Sequence, residues 1–561
     1  MKVFSILIIL ICSVNFSNAQ DFKLDSYLEM PKYELVVEEF CKKYDFVQNE
    51  NNTRVRFAKK PEGWFVITYN YKDDRILSDE LFWQKNSYLA LSNFKEEKKA
   101  PTDLDEPIEL DNKSLLRELL KQNLVTDFNR HPFFGYNYWA EDVIYHFEKI
   151  ENQLKDTLLY GLGRAYGALA TNMVTNQFNF KASAQVKFVE GGNCINSDEQ
   201  DELVRLMRKS QYYFKRVYEM NKDFCVIVGT IHTKMSNEYM DLFYKLWPLT
   251  SIEYAATFVP DNIYTANVLT EARNYLNSCD SNAIFFAWGD NDTYPLHYLQ
   301  VKEHLREDVS IINMGMLGVY LWIDAQTRGW DNKGIVYSIP FSSYKEGLNY
   351  ISIKTPELDR HILVQNIPSM CIGENRSLEV DYIDLPFDNY TLKIDLSDKS
   401  YITQYELAAL DIIVSNSQRP ICFSQDVMIK NLGLQENVQF NGLTYTLIKK
   451  ESPTLTYDLS KMRKYYNKYY SLDGFDNPEN FSMCDDTYQN ALGYYVQYQN
   501  LLKIYAEMLE TLASIDDVKL VKNQLQFMTK NCWFDLGESY LSYKKYLDDK
   551  FKGSSKKKKS D

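Results

Sequence analysis

Apolar positions recur at helical spacing from Tyr33 through Val36, Val37, Phe40 and Cys41 to Tyr44, and the pattern then changes to alternation. Arg54-Val55-Arg56-Phe57 and Trp64-Phe65-Val66-Ile67-Thr68-Tyr69 read as strands, with Pro61-Glu62-Gly63 as the turn between them. A small α+β domain over 20–110 fits, closed by the polar segment Lys95 to Asp105. Residues 111–252 read as helices. Leu158, Leu159, Leu162, Ala165, Tyr166, Ala168 and Leu169 form one apolar face, and Gly161, Gly163 and Gly167 let a second helix approach closely. After the polar loop Glu190 to Ser197 come a long helix, Asp198 to Met220, and shorter ones at Cys225 to Thr233 and Tyr239 to Leu246. Alternating helices with small residues at their contacts suggest hairpins of the tetratricopeptide type.

The character changes near residue 253. Asn267 to Leu276 reads as a helix, Ala283 to Trp288 as a strand, Pro295 to His304 as a helix and Val309 to Asn313 as a strand. This alternation at short spacing implies parallel pairing with right-handed crossovers. Residues 334–400 alternate as strands, Tyr405 to Val414 is a helix, and Pro420 to Phe423 is a further buried strand. An α/β domain over 253–452 with a β-rich insertion follows, then a helical region over 453–550 and a Lys-rich solvated tail over 551–561. The fold expected is multi-domain α+β, with helical hairpins flanking a small α/β sheet domain. Its 561 residues exceed what one hydrophobic core supports.

Charge narrows the partners. A formal net charge of −14 argues against nucleic acid or an anionic membrane surface, because phosphate recognition needs clustered positive charge. The N-terminus gives an address. Lys2 is followed by the apolar run Val3 to Phe16, and Ser17-Asn18-Ala19 places small residues where a signal peptidase reads. Cleavage before Gln20 is expected, so residues 1–19 are the signal peptide and the mature chain is periplasmic or otherwise secreted. Lipidation at Cys12 is disfavoured, because the preceding residue is the bulky Ile11. No later window has the roughly 18 apolar residues of a membrane span. The eight cysteines beyond Cys12 form no CxxC pair, which removes support for zinc or thioredoxin-like chemistry. Several lie in apolar runs, such as Phe224-Cys225-Val226 and Ile421-Cys422-Phe423, and read as buried free thiols.

The most chemically loaded segment is Trp288-Gly289-Asp290-Asn291-Asp292-Thr293-Tyr294-Pro295. It joins a strand to a helix, at the edge where open α/β sheets hold ligands. Asn313 ends the next strand, and His297 lies one turn into the helix. Three readings compete. In the first, Asp292 or Thr293 caps the helix, Gly289 takes a positive φ and Asp290 bonds turn amides. In the second, Asp290, Asn291, Asp292, Thr293, His297 and Asn313 bind a glycan, peptide or other polar ligand between the aromatic walls Trp288 and Tyr294. In the third, Asp-x-Asp holds a divalent ion against a nucleotide sugar. That substrate is cytoplasmic and the chain is expected to be exported, so the third is discounted. There is no HExxH among the six histidines, no GxSxG and no phosphate-cradling GxxxxGK. No cofactor, metal or catalytic residue is expected.

The stretch from Asn282 through Gly289-Asp290-Asn291-Asp292-Thr293-Tyr294-Pro295 to Ile312-Asn313 resembles the soluble C-terminal region of a family of polytopic membrane proteins. These are related to protein O-mannosyltransferases and common in Bacteroidetes. Leu410-Asp411-Ile412-Ile413, Arg419 to Phe423 and Gly442 to Leu447 extend the resemblance over roughly 255–545. In that family the transferase chemistry belongs to the membrane-embedded half. The resemblance therefore implies a shared fold and a polypeptide-binding or scaffolding role, without transferase activity. The expectation is an exported non-catalytic component of an envelope complex, with other envelope proteins or polypeptides as partners. The alternative is a glycan-binding or glycan-processing protein with its site at Asp290 and Asp292.

Overall fold

The computed structural model describes most of residues 30–95, 139–175, 186–475 and 515–530, with 545 and 548–549. The expected signal peptide over 1–19, Cys12, nearly all of the segment Lys95 to Asp105 and the Lys-rich tail lie outside the described residues. The chain is α+β and divides into two compact units, 1–187 with 195–227, and 188–194 with 228–561. Among the described residues no helix is long and apolar enough to cross a membrane.

The first unit holds an antiparallel four-stranded meander, β1 (Thr53–Lys60), β2 (Gly63–Asn70), β3 (Arg75–Gln84) and β4 (Ser87–Tyr88). Helix α1 (Tyr33–Lys43) lays Tyr33 and Phe40 against Phe57, edge-on at 5.9 and 5.4 Å. These aromatic residues occupy the helical positions that the apolar spacing marks as the buried face. Beside the sheet, Lys59 is buried and paired with Asp142 of α2 (Trp139–Phe147) at 2.9 Å. Helices α3 (Asp156–Thr175) and α4 (Ser197–Met220) form one antiparallel pair. Asn221 Nδ2 donates to Asp156 at one end, and the ring of Phe214 meets the backbone at Gly163, where any Cβ would clash at 2.7 Å. Asn196 starts α4 with a complete capping box to Glu199.

The second unit opens on α5 (Ile231–Leu246), a continuous helix where the sequence suggested two pieces. Its start is set by Gly229, at φ +117°, and by the Thr230 side chain, which accepts from the N–H of Thr233. Cys225 to Thr230 is therefore not helical. After α6 (Ala266–Ser278) come β5 (Ile284–Ala287), α7 (Asp290–Glu303) and β6 (Ser310–Asn313). An insertion follows with two three-stranded sheets. It contains β7 (Tyr350–Lys354), β8 (His361–Leu363), β9 (Ser377–Glu379), β10 (Tyr382–Phe387), β11 (Tyr390–Asp395) and β12 (Tyr401–Thr403). The expected strands begin at Tyr350 rather than 334, because Phe341–Lys345 is a short helix.

Helix α8 (Gln404–Ser415) then returns the chain to the main sheet at β13 (Ile421–Phe423). Next come α9 (Asp426–Leu432), β14 (Val438–Phe440), β15 (Tyr445–Leu447), β16 (Thr456–Tyr457), α10 (Leu459–Lys468) and, further on, α11 (Ile515–Lys530). The six-stranded sheet has the order β16-β14-β15-β13-β5-β6. Strands β13, β5 and β6 are parallel, with Cys422 opposite Phe285 and Phe285 opposite Ile311. Each strand is apolar on both faces. Phe285, Ala287, Ile311 and Cys422 pack with Leu276 of α6 and with Leu296 and Leu299 of α7. Ile284, Phe286, Ile312, Ile421 and Phe423 pack with α8 and the insertion. Burial on two faces explains the continuous runs Ile284-Phe285-Phe286-Ala287 and Ile421-Cys422-Phe423.

Asp411 anchors the insertion to α8. Its buried carboxylate accepts from the backbone N–H of Ser338 and Ile339 and from the hydroxyls of Ser338, Tyr344 and Ser415, at 2.5–3.1 Å. Cys225 is disulfide-bonded, which corrects the reading of it as a free thiol. Its neighbourhood is only half-buried, unlike that of Cys279 and Cys422, which are buried and free.

Candidate functional site

Strands β5 and β13 are neighbours, yet the segments that follow them leave toward opposite faces of the sheet. Helix α7 covers Phe285 and Ala287, whereas α9 places Met428, Ile429 and Leu432 in the core on the other face. This is a switch point, and the loops that diverge there leave a crevice at the carboxyl ends of the strands. Trp288-Gly289-Asp290 enters the crevice from β5 and Ser424-Gln425 from β13. The start of α8 brings Tyr405, whose ring stands edge-on to Trp288 at 6.0 Å.

The Gly-Asp-Asn-Asp-Thr segment is the first turn of α7 itself. The helix begins at Asp290 with Gly289 as N-cap, so Pro295 is its sixth residue. Gly289 has φ −137°, not a positive value, and no side chain caps the helix. In place of a side-chain cap, the N–H groups of Asp292 and Thr293 both bond the Gly289 carbonyl, at 3.1 and 2.9 Å. The capping reading of Asp292 and Thr293 is thereby corrected. A Cβ added at Gly289 would meet nothing within 4 Å, so the space above this residue is open.

The eight candidate residues divide by what they touch. Thr293 is fully buried, donates to the Gly289 carbonyl at 2.8 Å and accepts from Asn313 Nδ2 at 2.9 Å. Asn313 in turn takes the N–H of Gly315 at 3.0 Å. Asn291 accepts from Asn237 of α5 at 2.6 Å and donates to the Val228 carbonyl at 3.1 Å. His297 is a core residue, packed among Phe243, Tyr244 and Trp247, with its Nδ1 2.6 Å from the Tyr244 hydroxyl. Burial pushes the His297 pKa down to about 3, so the ring is neutral. His304, one face-repeat later, is exposed beside Glu307. These contacts lock the turn.

Asp290, Asp292 and Trp288 keep contact with solvent. Asp290 is exposed, receives a bond from the buried Tyr294 hydroxyl, and faces Asp241, Lys234 and Lys245 on α5. The surrounding protein withholds water and, with Asp241, pushes its carboxyl up to about 6; the two lysines and Tyr294 oppose this. Solvent contact screens part of the rise. Asp292 is half-buried and is also pushed up to about 6, first by burial and then by Asp290, against a backbone bond from Trp288. Gln425 Nε2 donates to its Oδ2 at 2.8 Å. The lysines are already engaged one turn away, Lys245 with Asp241 at 2.6 Å and Lys234 with Glu238 at 2.5 Å.

This arrangement offers free carboxylate lone pairs, amides and a half-buried indole. Among the described residues no three His, Cys, Asp or Glu side chains converge to hold a metal ion. A surface cavity of about 440 Å³ in the first unit is lined by Asp201, Val204, Arg205, Arg208 and Lys209, all on α4. Arg205 and Lys209 are there paired with Glu202 and Glu148, as on an ordinary solvated helix face. The sequence reading missed Gln425, Asn237, Asp241, Lys234, Lys245 and Tyr405. Gln425, two residues beyond a strand parallel to β5, could have been found from the carboxyl-edge rule. The α5 residues carry no local signal.

Residues 269–385 and 363–464 match the family model described as TMEM260-associated domain 2, which together span about a third of the chain. The matched span covers β5, α7, the insertion and the switch-point strands. No curated protein and no solved structure matches the chain.

Proposed function

We propose that this chain is an exported, non-catalytic glycan-binding protein whose α/β layer holds a sugar in the switch-point crevice. The observation that carries the reading is the exposed Asp290 carboxylate, anchored from behind by Tyr294 and left with lone pairs toward solvent. A carboxylate of this kind accepts from two neighbouring hydroxyl groups of a sugar, and an indole supports the apolar face of the ring. Asp292 with Gln425 sets the opposite wall, and the open space at Gly289 admits a ligand close to the backbone. The resemblance to relatives of protein O-mannosyltransferases points to the same chemical class. Export accords with the N-terminal pattern and with the disulfide at Cys225.

Polypeptide capture by stacked hairpins has less support. Among the described residues, α2, α3 and α4 make one group of three helices with no repeated hairpin, and the edge strand β6 has only four residues, three of them buried. The test is a glycan array, including mannose-containing oligosaccharides, probed with the wild-type chain and with Asp290→Asn and Trp288→Ala variants. Binding by the wild type that both variants lose, at unchanged melting temperature, supports the reading. A wild type that binds no glycan overturns it.

A further inference from the structure

One sheet of the insertion ends on an open strand. In the order β8-β10-β11, strand β11 lies at the edge, and its six residues make it the longest edge strand of the second unit among the described residues. Its pairing with β10 runs without a register shift from Tyr382↔Asp395 to Phe387↔Tyr390. The N–H of Leu396 bonds the Asp381 carbonyl at 2.8 Å, which continues the ladder and fixes its phase. In an antiparallel pair only alternate residues exchange such bonds. Tyr390, Leu392 and Ile394 therefore turn their backbone groups to β10, and Thr391, Lys393 and Asp395 turn theirs to the open edge. Side chains alternate in the same step: Leu392 and Ile394 are buried, whereas Thr391, Lys393 and Asp395 are exposed. Edge strands are usually blunted by a proline, a bulge or a lysine over the free groups. Strand β11 has neither proline nor bulge, and its Lys393 leans back over the Tyr382 ring of β10, with Nζ 3.5 Å from the centroid.

We propose that β11 is a self-association edge, to which a second copy of this chain adds its own β11 antiparallel about a two-fold axis at Ile394. Charge selects both the partner and the register. An axis at Ile394 sets Lys393 opposite the partner's Asp395 and Asp395 opposite the partner's Lys393, so the same ion pair forms twice. An axis one residue earlier sets lysine opposite lysine, and one residue later sets aspartate opposite aspartate; like charges directly opposite are destabilising. An axis at Leu392 sets Lys393 opposite Thr391 and forms no charge pair. In the favoured register Lys393 and Asp395 also exchange backbone bonds with the partner, because both present free N–H and C=O groups at that edge. The contact is isologous and closes at two copies. Leu392 and Ile394 are already covered, so the gain is backbone bonding and charge. The area falls well short of the roughly 1,600 Å² of a standard interface, which makes the dimer weak and sensitive to salt.

Sedimentation velocity of the full chain, up to about 500 µM, reaches concentrations at which a weak interface of this kind fills. The wild type should form dimers at low salt that dissociate at high salt. Asp395→Lys and Lys393→Asp should each be monomeric alone, since each sets like charges opposite one another. Mixed in equal amounts, the two variants should dimerise, because every lysine of one chain then faces an aspartate of the other. Both substituted residues are exposed, so the fold is retained and the mixture reports the register itself. A wild type that stays monomeric overturns the proposal. So do single variants that dimerise as well as wild type, or a mixture that stays monomeric.

Discussion

Gln425 holds Asp292 across the switch point, with Nε2 2.8 Å from Oδ2, and thereby ties the end of β13 to the first turn of α7. The two residues are 133 positions apart. Their bond spans the crevice where the parallel strands diverge and sets the position of the carboxylate that neighbours Asp290.

Replacing Gln425 with Ala removes that donor and leaves Asp292 to solvent. Chemical denaturation should show a loss of about 1 kcal/mol, the worth of one partly buried hydrogen bond. Glycan affinity should fall as well. Unchanged affinity would mean that Asp292 needs no positioning from β13.

Asp290 should make the folded state less stable at high pH. Its folded pKa is raised from 3.8 to about 6, so the native state binds the proton more tightly than the unfolded chain. The resulting stability is fully present below the unfolded value and is lost as pH rises through about 6. Asp290→Asn should therefore gain stability relative to wild type between pH 5 and pH 8, in paired thermal melts, while losing ligand. A variant that loses stability equally at both pH values would mark Asp290 as a structural residue.

His297 acts in the opposite direction. Its folded pKa is lowered from 6.5 to about 3, so the unfolded chain takes up the proton first. Stability is present above pH 6.5 and is lost on acidification toward pH 3, at up to about 1.4 kcal/mol per pH unit. His297→Phe should flatten this part of the pH profile. At pH 7 it should cost about 1–3 kcal/mol by stranding the Tyr244 hydroxyl. Adding Tyr244→Phe should recover part of that loss, so the double variant is less destabilised than the sum of the singles, as urea titrations of the four proteins can test.

Asp411→Ala strands buried donors from Ser338, Ile339 and Tyr344 and should destabilise the chain by about 4 kcal/mol. Asp411→Asn, which keeps one acceptor oxygen, should cost roughly half as much. Equal losses in the two variants would show that packing, not the paired carboxylate oxygens, dominates at this position.

Much of the fold was legible because its signals are local. The apolar faces of α1 and α4, the alternation in β1 and β2, and the doubly buried runs at β5 and β13 follow from side-chain periodicity and appear close to the expected bounds. The start of α7 was misplaced because Pro295 usually marks a first turn. Here the helix begins five residues earlier, at a glycine without a side-chain cap, and the turn is closed by Asn313, Asn237 and the Gly289 carbonyl. Those partners come from separate strands and helices, which local spacing does not encode.

By itself the sequence determined that a strand would deliver Asp290, Asn291 and Asp292 to a carboxyl edge, since hydrophobic periodicity sets which segments are strands and helices. Only the tertiary structure decided what each residue does there. Burial took His297 and Thr293 into the core, Gln425 arrived from a neighbouring strand, and Asp290 alone of the acidic pair stayed exposed. The reason is physical: a side chain's solvation and partners depend on which distant elements pack over it, and the topology of the sheet selects those elements.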